Sequence, residues 1–445
     1  MEHIVIIGNG ISGVTAARHI RKQSDKRITI ISSETKYFFA RTALMYIYMG
    51  HMRFEDTQPY EADFWQKNQI DIVQDYVKSV DFDKNELNMA DLPPIQYDKL
   101  ILAVGSKPNK FGWKGQDLAG VQGLYSKKDL DLMEQNTRGI KEAVIVGGGL
   151  IGVEMAEMLL TRNINVTFLI REDRFWGGVL PKEDGLLISN HLKRHEGLTL
   201  RFEEELEEIV PNENGRVKEV ITKKGEHIPC EFVGLTAGVH PNVDFLKESK
   251  LEIDRGILVN PDLSTNIPSV YAIGDCAQHK RKIGERKNLE QVWYTGRMMG
   301  ECVAQTICGN PTEYRPGIWF NSAKFFDVEY QTYGWVWNEL KEDEGEFIWK
   351  NEEKELLLHF VFDKETKVFK GINTFGIRLR HEIFDKWLTD KVTINHVIQH
   401  LRSANFDPEF FKRYETEIAE KYNQEFGESI VVASNKWWRI LLQSN

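Results

Sequence analysis

HIVIIGNGISGVTAARHIR, residues His3–Arg21, sets an apolar run, a glycine cluster and an amphipathic stretch in direct succession. That order reads as a buried strand, a tight turn and a helix. Gly8, Gly10 and Gly13 form GxGxxG at the junction. The first glycine makes the turn, the second lets backbone approach a pyrophosphate, and the third lets helix and strand pack closely. The helix would then present its free N–H groups and positive dipole end to the phosphates. RITIISSE (Arg27–Glu34) follows as a second strand, and Glu34 at its end is placed to accept hydrogen bonds from an adenosine ribose. A glycine-rich turn without a ligand is the alternative, and the strand, helix and terminal acid around it weigh against that.

The same grammar recurs in EAVIVGGGLIGVEMAEMLL (Glu142–Leu160) and NVTFLIRED (Asn165–Asp173), with Gly147, Gly149 and Gly152 in the turn. Here Ile170 stands where an acid would bind a ribose diol, Arg171 follows, and Arg174 lies three residues on. A ribose 2′-phosphate needs cationic donors and is repelled by a carboxylate, so the pattern favours NADPH over NADH. A solvated strand-end charge explains Arg171 about as well.

Two βαβ units imply two doubly wound sheets. LILAVGSKPN (Leu100–Asn109) and FVGLTAGVHPN (Phe232–Asn242) close the two halves alike. From about Arg315 the texture changes to alternating aromatics, a charged hairpin candidate and helical patterns from roughly Arg380 to Phe426. The expected fold class is therefore α/β: two doubly wound, three-layer dinucleotide-binding domains plus a C-terminal α+β domain. The expected boundaries are residues 1–112 with 250–314, then 113–249, then 315–445.

A net charge of −10 without a sustained Lys/Arg stripe argues against a nucleic-acid surface. No apolar run approaches the roughly 18 residues that a spanning helix needs. MEHIVIIGNG runs straight into a strand with no basic leader, and the chain reads as cytoplasmic. The ending NKWWRILLQSN (Asn435–Asn445) could be a short amphipathic membrane anchor or could dock on the third domain; docking is preferred. Cys230, Cys276, Cys302 and Cys308 form no CxxC, disulfide or metal-ligand pattern, so structural thiols and no metal are expected.

The two glycine motifs, LILAVG, GLTAGVHPN and YAIGDCA (Tyr271–Ala277) together resemble the pyridine nucleotide–disulfide oxidoreductases, in the branch without a redox disulfide. That branch holds ferredoxin and rubredoxin reductases and nitrite reductase flavin domains. The resemblance covers roughly residues 3–334. It implies FAD in the first dinucleotide fold and NADPH or NADH in the second. Gly274 and Asp275 match the pair whose aspartate hydrogen-bonds a ribityl hydroxyl of FAD. Arg41 matches an arginine near the pyrophosphate, and Val77, Ala103 and Gly105 match cofactor-lining positions. Trp293 falls where the last FAD-binding helix meets the flavin, with an aromatic core residue as an equal alternative. Gly238 and Pro241 match a loop near the nicotinamide.

Glu154 matches a glutamate beside the flavin and nicotinamide rings, where desolvation could raise its pKa. A solvated helix glutamate is its alternative. The lysine that partners it in relatives is replaced by Tyr46, which leaves the flavin electronics open. Disulfide reductases of the superfamily carry CxxxxC after the ribose-binding strand, and peroxidase-type relatives carry one cysteine near RTAL (Arg41–Leu44). This chain has neither, since its first cysteine is Cys230. Electrons must therefore leave the flavin for oxygen, a quinone or a separate redox protein. The leading expectation is an NAD(P)H-dependent reductase of a small iron-containing redox protein, with a homodimer as family habit. A membrane-surface quinone reductase and a slow-turnover flavin sensor are the rivals.

Overall fold

Ile4, Val5 and Ile6 are fully buried because His3–Ile7 is the central strand of a parallel sheet covered on both faces. The sheet runs Val270–Ala272, Lys99–Leu102, His3–Ile7, Arg27–Ser32, Ile70–Gln74. Its register is set by Ile4 opposite Ile28 on one side and Lys99 on the other. The structure, a computed structural model, describes residues 1–406 and 412–433. The expectation about Asn435–Asn445 falls outside the described residues. Among the described residues, no helix is long and apolar enough to cross a membrane.

The chain divides into two compact units. One comprises Met1–Gly147, Met155–Phe168 and Glu205–Pro316; the other comprises Gly148–Glu154, Leu169–Glu204 and Gly317–Asn445. In the first unit the helix Ile11–Gln23 leaves the central strand through the glycine turn and packs on the helix Trp293–Ile307. Contact is closest at two glycines one turn apart. A Cβ on Gly296 would lie 2.6 Å from Ser12 Oγ, and one on Gly300 would lie 2.6 Å from the Ser12 carbonyl oxygen. The antiparallel strands Val77–Asp81, Glu86–Met89 and Ile95–Gln96 lie between Gln74 and Lys99.

The first unit also holds a second parallel ladder. Within the first unit Glu142–Val146 pairs in parallel with Phe232–Leu235, which pairs in parallel with Val121–Gln122. The two look-alike closing segments meet: Ser106–Pro108 pairs antiparallel with Val239–Pro241. The α/β class expected from the sequence is the one observed.

The second unit holds a five-stranded antiparallel sheet in the order Phe320–Phe325, Val328–Gly334, Phe369–Phe375, Leu356–Asp363, Glu344–Asn351. The charged hairpin candidate is its Glu344–Asn351 and Leu356–Asp363 pair. Leu356–Asp363 (LLLHFVFD) is buried on both faces. Leu358, Phe360 and Phe362 join the core formed with Phe384, Trp387 and Tyr422 of the helices His381–Thr389 and Glu415–Phe426. Alternation along a strand puts His359 on the opposite face. There it meets the helix Lys182–Leu192: His359 Nδ1 lies 2.7 Å from Asp184 Oδ1, and Nε2 lies 3.0 Å from Glu346 Oε2. Asn373 Nδ2 donates to the other oxygen of Asp184 at 2.7 Å.

Two predictions follow from these contacts. Alanine gains about 1 kcal/mol over glycine inside a helix, whereas a Cβ forced against backbone costs about 1–3 kcal/mol. Gly300→Ala should therefore lower the melting temperature by a few degrees in calorimetry; a rise would refute the close approach. For His359, burial pushes the imidazole down, but Asp184 and Glu346 outweigh it and raise it to about 9. A folded pKa above the unfolded one means stability present in full below about pH 6.5 and lost as pH rises through 9. The wild-type melting temperature should fall over that window, and His359→Gln should flatten the fall while lowering stability at pH 6.5 by about 3 kcal/mol.

Candidate functional site

The three glycines of the first turn do different work. Gly8 has φ +113°, and a Cβ there would sit 2.1 Å from the Ala103 carbonyl oxygen. A Cβ on Gly13 would sit 2.1 Å from the Gly8 carbonyl oxygen. Both are required by chain packing on chain. Gly10 is different, since a Cβ there would meet nothing within 4 Å. It opens onto space. Gly10 is also the N-cap of Ile11–Gln23, with no side-chain cap hydrogen bond and no acid in the first turn. The first backbone N–H groups of that helix are thus left to an outside acceptor, and the dipole favours an anion.

The second turn repeats the division. In the first unit Gly147 has φ +114°, and its Cβ would lie 2.8 Å from the Thr236–Ala237 backbone. In the second unit Gly149 again opens onto space. Gly152 is buried and Glu154 half-buried on the helix Leu150–Leu160, whose first turn holds no acid. Arg171 has a side chain 73% exposed, touching Glu172 Oε1 at 3.0 Å. Arg174 folds back on its own loop: Nη1 meets Asp173 Oδ1 at 2.7 Å and Nη2 donates to the Gly177 carbonyl at 3.2 Å. Of the two arginines, Arg171 is the one offered to solvent.

Glu34 and Arg41, expected at ribose and pyrophosphate, are paired with each other. Arg41 Nη1 donates to Glu34 Oε1 (3.0 Å) and Nη2 to Oε2 (2.6 Å), a bidentate fork. Nη1 also donates to the Tyr125 carbonyl at 2.7 Å, and the guanidinium lies over the rings of Phe39 and Tyr125. The Lys127 backbone N–H donates to Glu34 Oε1 at 2.6 Å. Of the roughly four acceptor positions on a carboxylate, three are taken. The remaining one, on Oε2, suits a single hydroxyl.

Asp275 ends a second chain of contacts. The Tyr125 hydroxyl donates to Asp275 Oδ2 at 3.1 Å and accepts from the Ser106 backbone N–H at 3.0 Å. Gln291 Nε2 donates to Ser106 Oγ at 2.7 Å. Burial, then the neighbouring Asp275 carboxylate, push the Tyr125 phenol up, so it stays a donor. Burial raises Asp275, opposed by hydrogen bonds from Tyr125 and Ser106 and by Arg41. Tyr125, Ser106 and Gln291 were missed in the sequence. Only one local signal marked the region, the Ser126/Asp129 capping box that starts the helix Lys127–Asn136.

The other expected positions are placed as follows. Gly105 has φ +68°, with its Cβ direction 2.9 Å from the Tyr125 hydroxyl; Gly274 has φ +72°, with its Cβ direction 2.3 Å from Ser12 Oγ. Ala103 and Val77 are buried. Gly238 has φ +84°, and its carbonyl accepts from the Asn109 N–H at 3.1 Å. Pro241 faces Ser106 in the strand pair. Trp293 opens its helix and packs at 6.1 Å on the Phe38 ring. Tyr46, half-buried on the short helix Leu44–Tyr48, stacks on His51 at 6.1 Å.

An anion-ready helix end, open space at Gly10 and a carboxylate with one acceptor position left fit a dinucleotide. The sequence profile of the family described as pyridine nucleotide-disulphide oxidoreductase matches residues 2–300. The chain belongs to this family. It is an FAD-dependent NAD(P)H oxidoreductase by class. It is 30% identical over 376 residues to nitrite reductase [NAD(P)H] of Bacillus subtilis, covering 83% of the chain and 44% of that protein. The chain thus spans less than half of that relative's length. It is 28% identical over 322 residues to rubredoxin-NAD(+) reductase of Pseudomonas putida, covering 71% of the chain and 83% of that protein. A solved ferredoxin reductase from Rhodopseudomonas palustris shares the fold, with TM-score 0.77 at 22% identity, over 92% of the chain and 96% of the other.

The family is named for a disulphide, yet all four cysteines of this member are free thiols. Burial pushes the Cys230 and Cys276 thiols up to about 12 and the Cys302 thiol up to about 11. A neutral, buried thiol is a poor nucleophile. Iodoacetamide at pH 8 should therefore leave Cys230, Cys276 and Cys302 unmodified in the native protein. Mass spectrometry after digestion reads this directly, and labelling of any of the three before unfolding would contradict it.

Proposed function

We propose that this chain takes reducing equivalents from NAD(P)H onto bound FAD and hands them to a separate, small iron-containing redox protein. The observation that carries the reading is the outward-opening glycine at the start of each of two helices, Gly10 and Gly149, with no acid in either first turn and no side-chain cap on the first helix, in a chain whose four cysteines are free thiols. The names of the relatives support the acceptor: one is a rubredoxin reductase, and another is the ferredoxin reductase component of a biphenyl dioxygenase system from Paraburkholderia xenovorans.

Bound FAD would supply the hydride-accepting and electron-donating chemistry. The protein's part is to bind, orient and exclude water. The Gly10 helix end would hold the FAD diphosphate, and Glu34 would take one ribose hydroxyl through its remaining acceptor position. Arg41 would act on that ribose indirectly, by fixing the Glu34 carboxylate. Asp275, oriented by Tyr125, would take a ribityl hydroxyl. The Gly149 helix end would hold the nicotinamide dinucleotide's diphosphate, with Glu154 toward the reacting rings and Tyr46 in the place of the relatives' lysine.

NADPH is the preferred donor on this reading, because Arg171 offers an exposed guanidinium with no acid at Ile170. Anaerobic titration of the yellow protein should bleach it with less NADPH than NADH. An exposed, screened contact is worth about 1 kcal/mol, so Arg171→Ser should raise the KM for NADPH about fivefold and leave that for NADH unchanged. Rubredoxin or ferredoxin should then reoxidise the bleached protein faster than oxygen does. A protein that cannot be loaded with flavin, or one reoxidised by oxygen alone, would sink the proposal.

A further inference from the structure

His191, His195 and Asp327 lie in one unit, and one ligand atom from each falls within 4.8 Å of the others. His191 lies in the last turn of the helix Lys182–Leu192, and His195 sits in the turn just beyond it. Asp327 is in the two-residue turn between the strands Phe320–Phe325 and Val328–Gly334, where Phe326 has φ +54°. The two imidazole Nε2 atoms face each other at 3.3 Å.

That separation is informative. Two nitrogens each bound at about 2.0–2.1 Å to one zinc ion, and 3.3 Å apart, subtend an angle of about 104–111° at the metal, close to tetrahedral. His191 Nδ1 lies 2.9 Å from Glu355 Oε2, and Arg194 Nη1 donates to Glu355 Oε1 at 2.7 Å. A carboxylate on Nδ1 makes that nitrogen the N–H and turns the Nε2 lone pair toward His195, as in carboxylate–histidine–metal sites. The His195 ring is held against Phe326 at 4.4 Å between centroids. Asp327 is exposed, and its carboxylate, within 4.8 Å of the histidine nitrogens, has to close by at most about 1.5 Å to reach the roughly 3.3 Å ligand separation of a tetrahedral site.

We propose that His191, His195 and Asp327 bind one divalent transition-metal cation of the zinc class, oriented from behind by Glu355, with the fourth position left to solvent. Imidazole and carboxylate donors suit that class. Such an ion would tie the helix Lys182–Leu192 to the Phe326–Asp327 turn. The alternative is a plain histidine–histidine hydrogen bond in which one Nε2–H donates to the other nitrogen.

The test uses the full chain with its flavin, stripped of metal by a chelator and equilibrated with Zn2+, with bound metal measured by mass spectrometry and stability by thermal melting. The wild type should take up one saturable equivalent and melt higher with Zn2+. His195→Gln should lose that equivalent and the thermal shift. Asp327→Ala, an exposed change, should bind at least tenfold more weakly, and Glu355→Gln about 10–100-fold more weakly. His396→Gln with His400→Gln is the control: that pair has the same spacing, but its rings stack at 4.1 Å and, among the described residues, no third ligand joins them. It should bind as the wild type does. No saturable uptake by the wild type, or equal uptake by a folded, flavin-loaded His195→Gln, overturns the proposal. Bleaching by reduced nicotinamide is read separately and does not depend on this site.

Discussion

The main chain at Gly8 runs so close to the carbonyl of Ala103 that no side chain fits between them. This contact fixes where the strand His3–Ile7 ends and how its helix begins. Each residue directly follows one of two adjacent parallel strands, and the Ala103 N–H donates to the Ile7 carbonyl at 2.9 Å while the Gly8 N–H donates to the Ile31 carbonyl at 2.8 Å, so the turn is tied to the sheet on both sides. Gly13 then closes on the Gly8 carbonyl and pulls the first helical turn over the strand end. An α-helix begins with N–H groups that lack intrahelical partners. Here the geometry aims them outward, and no side chain caps them. Chain packing, rather than any charged residue, creates the uncapped helix end proposed to hold the diphosphate.

Charge is used next to that site to hold shape. Arg41 and Glu34 satisfy each other in a fork, and their side chains are only 25% and 17% exposed. A carboxylate left alone at that depth would pay for desolvation. Paired, it is held in one orientation, with one acceptor position remaining. Asp275 is treated in the same way through Tyr125 and Ser106. Both acids are fixed by neighbours before any ligand arrives, which removes reorganisation from binding.

The legible part of the sequence was the part governed by local rules. Gly8, Gly10, Gly13 and their second copy carry turn, approach and packing within a few residues. YAIGD reads as a strand end with an acid. Period and length separated the parallel sheets from the aromatic, alternating strands after Arg315. What could not be read depends on long-range pairing. Tyr125 and Asp275 are 150 residues apart, and Arg41 and the Tyr125 carbonyl 84. Nothing local distinguishes Tyr125 from any other tyrosine before a helix cap. Arg41 is the clearest case, since its type and neighbourhood were visible but its partner was not. His359 was invisible for the same reason. LLLHFVFD looks like a core strand with one odd residue, and Asp184, which explains it, lies 175 residues away.

His359 also bears on why a buried charge persists in the second unit. Replacing a buried ion pair with apolar residues is often neutral or stabilising, so the cluster is poorly explained as a stability device. Asp184 has two polar partners, His359 and Asn373, and the strand Leu356–Asp363 is otherwise apolar on both faces. A helix packed on such a strand through apolar side chains alone could slide by a residue at little cost. Hydrogen bonds from His359 and Asn373 to the two oxygens of one carboxylate fit only one register. The helix Lys182–Leu192 that they pin carries His191 in its last turn. Its rotation about its axis determines whether the His191 ring reaches Glu355 and faces His195, so the buried pair at one end of the helix sets the side-chain geometry at the other.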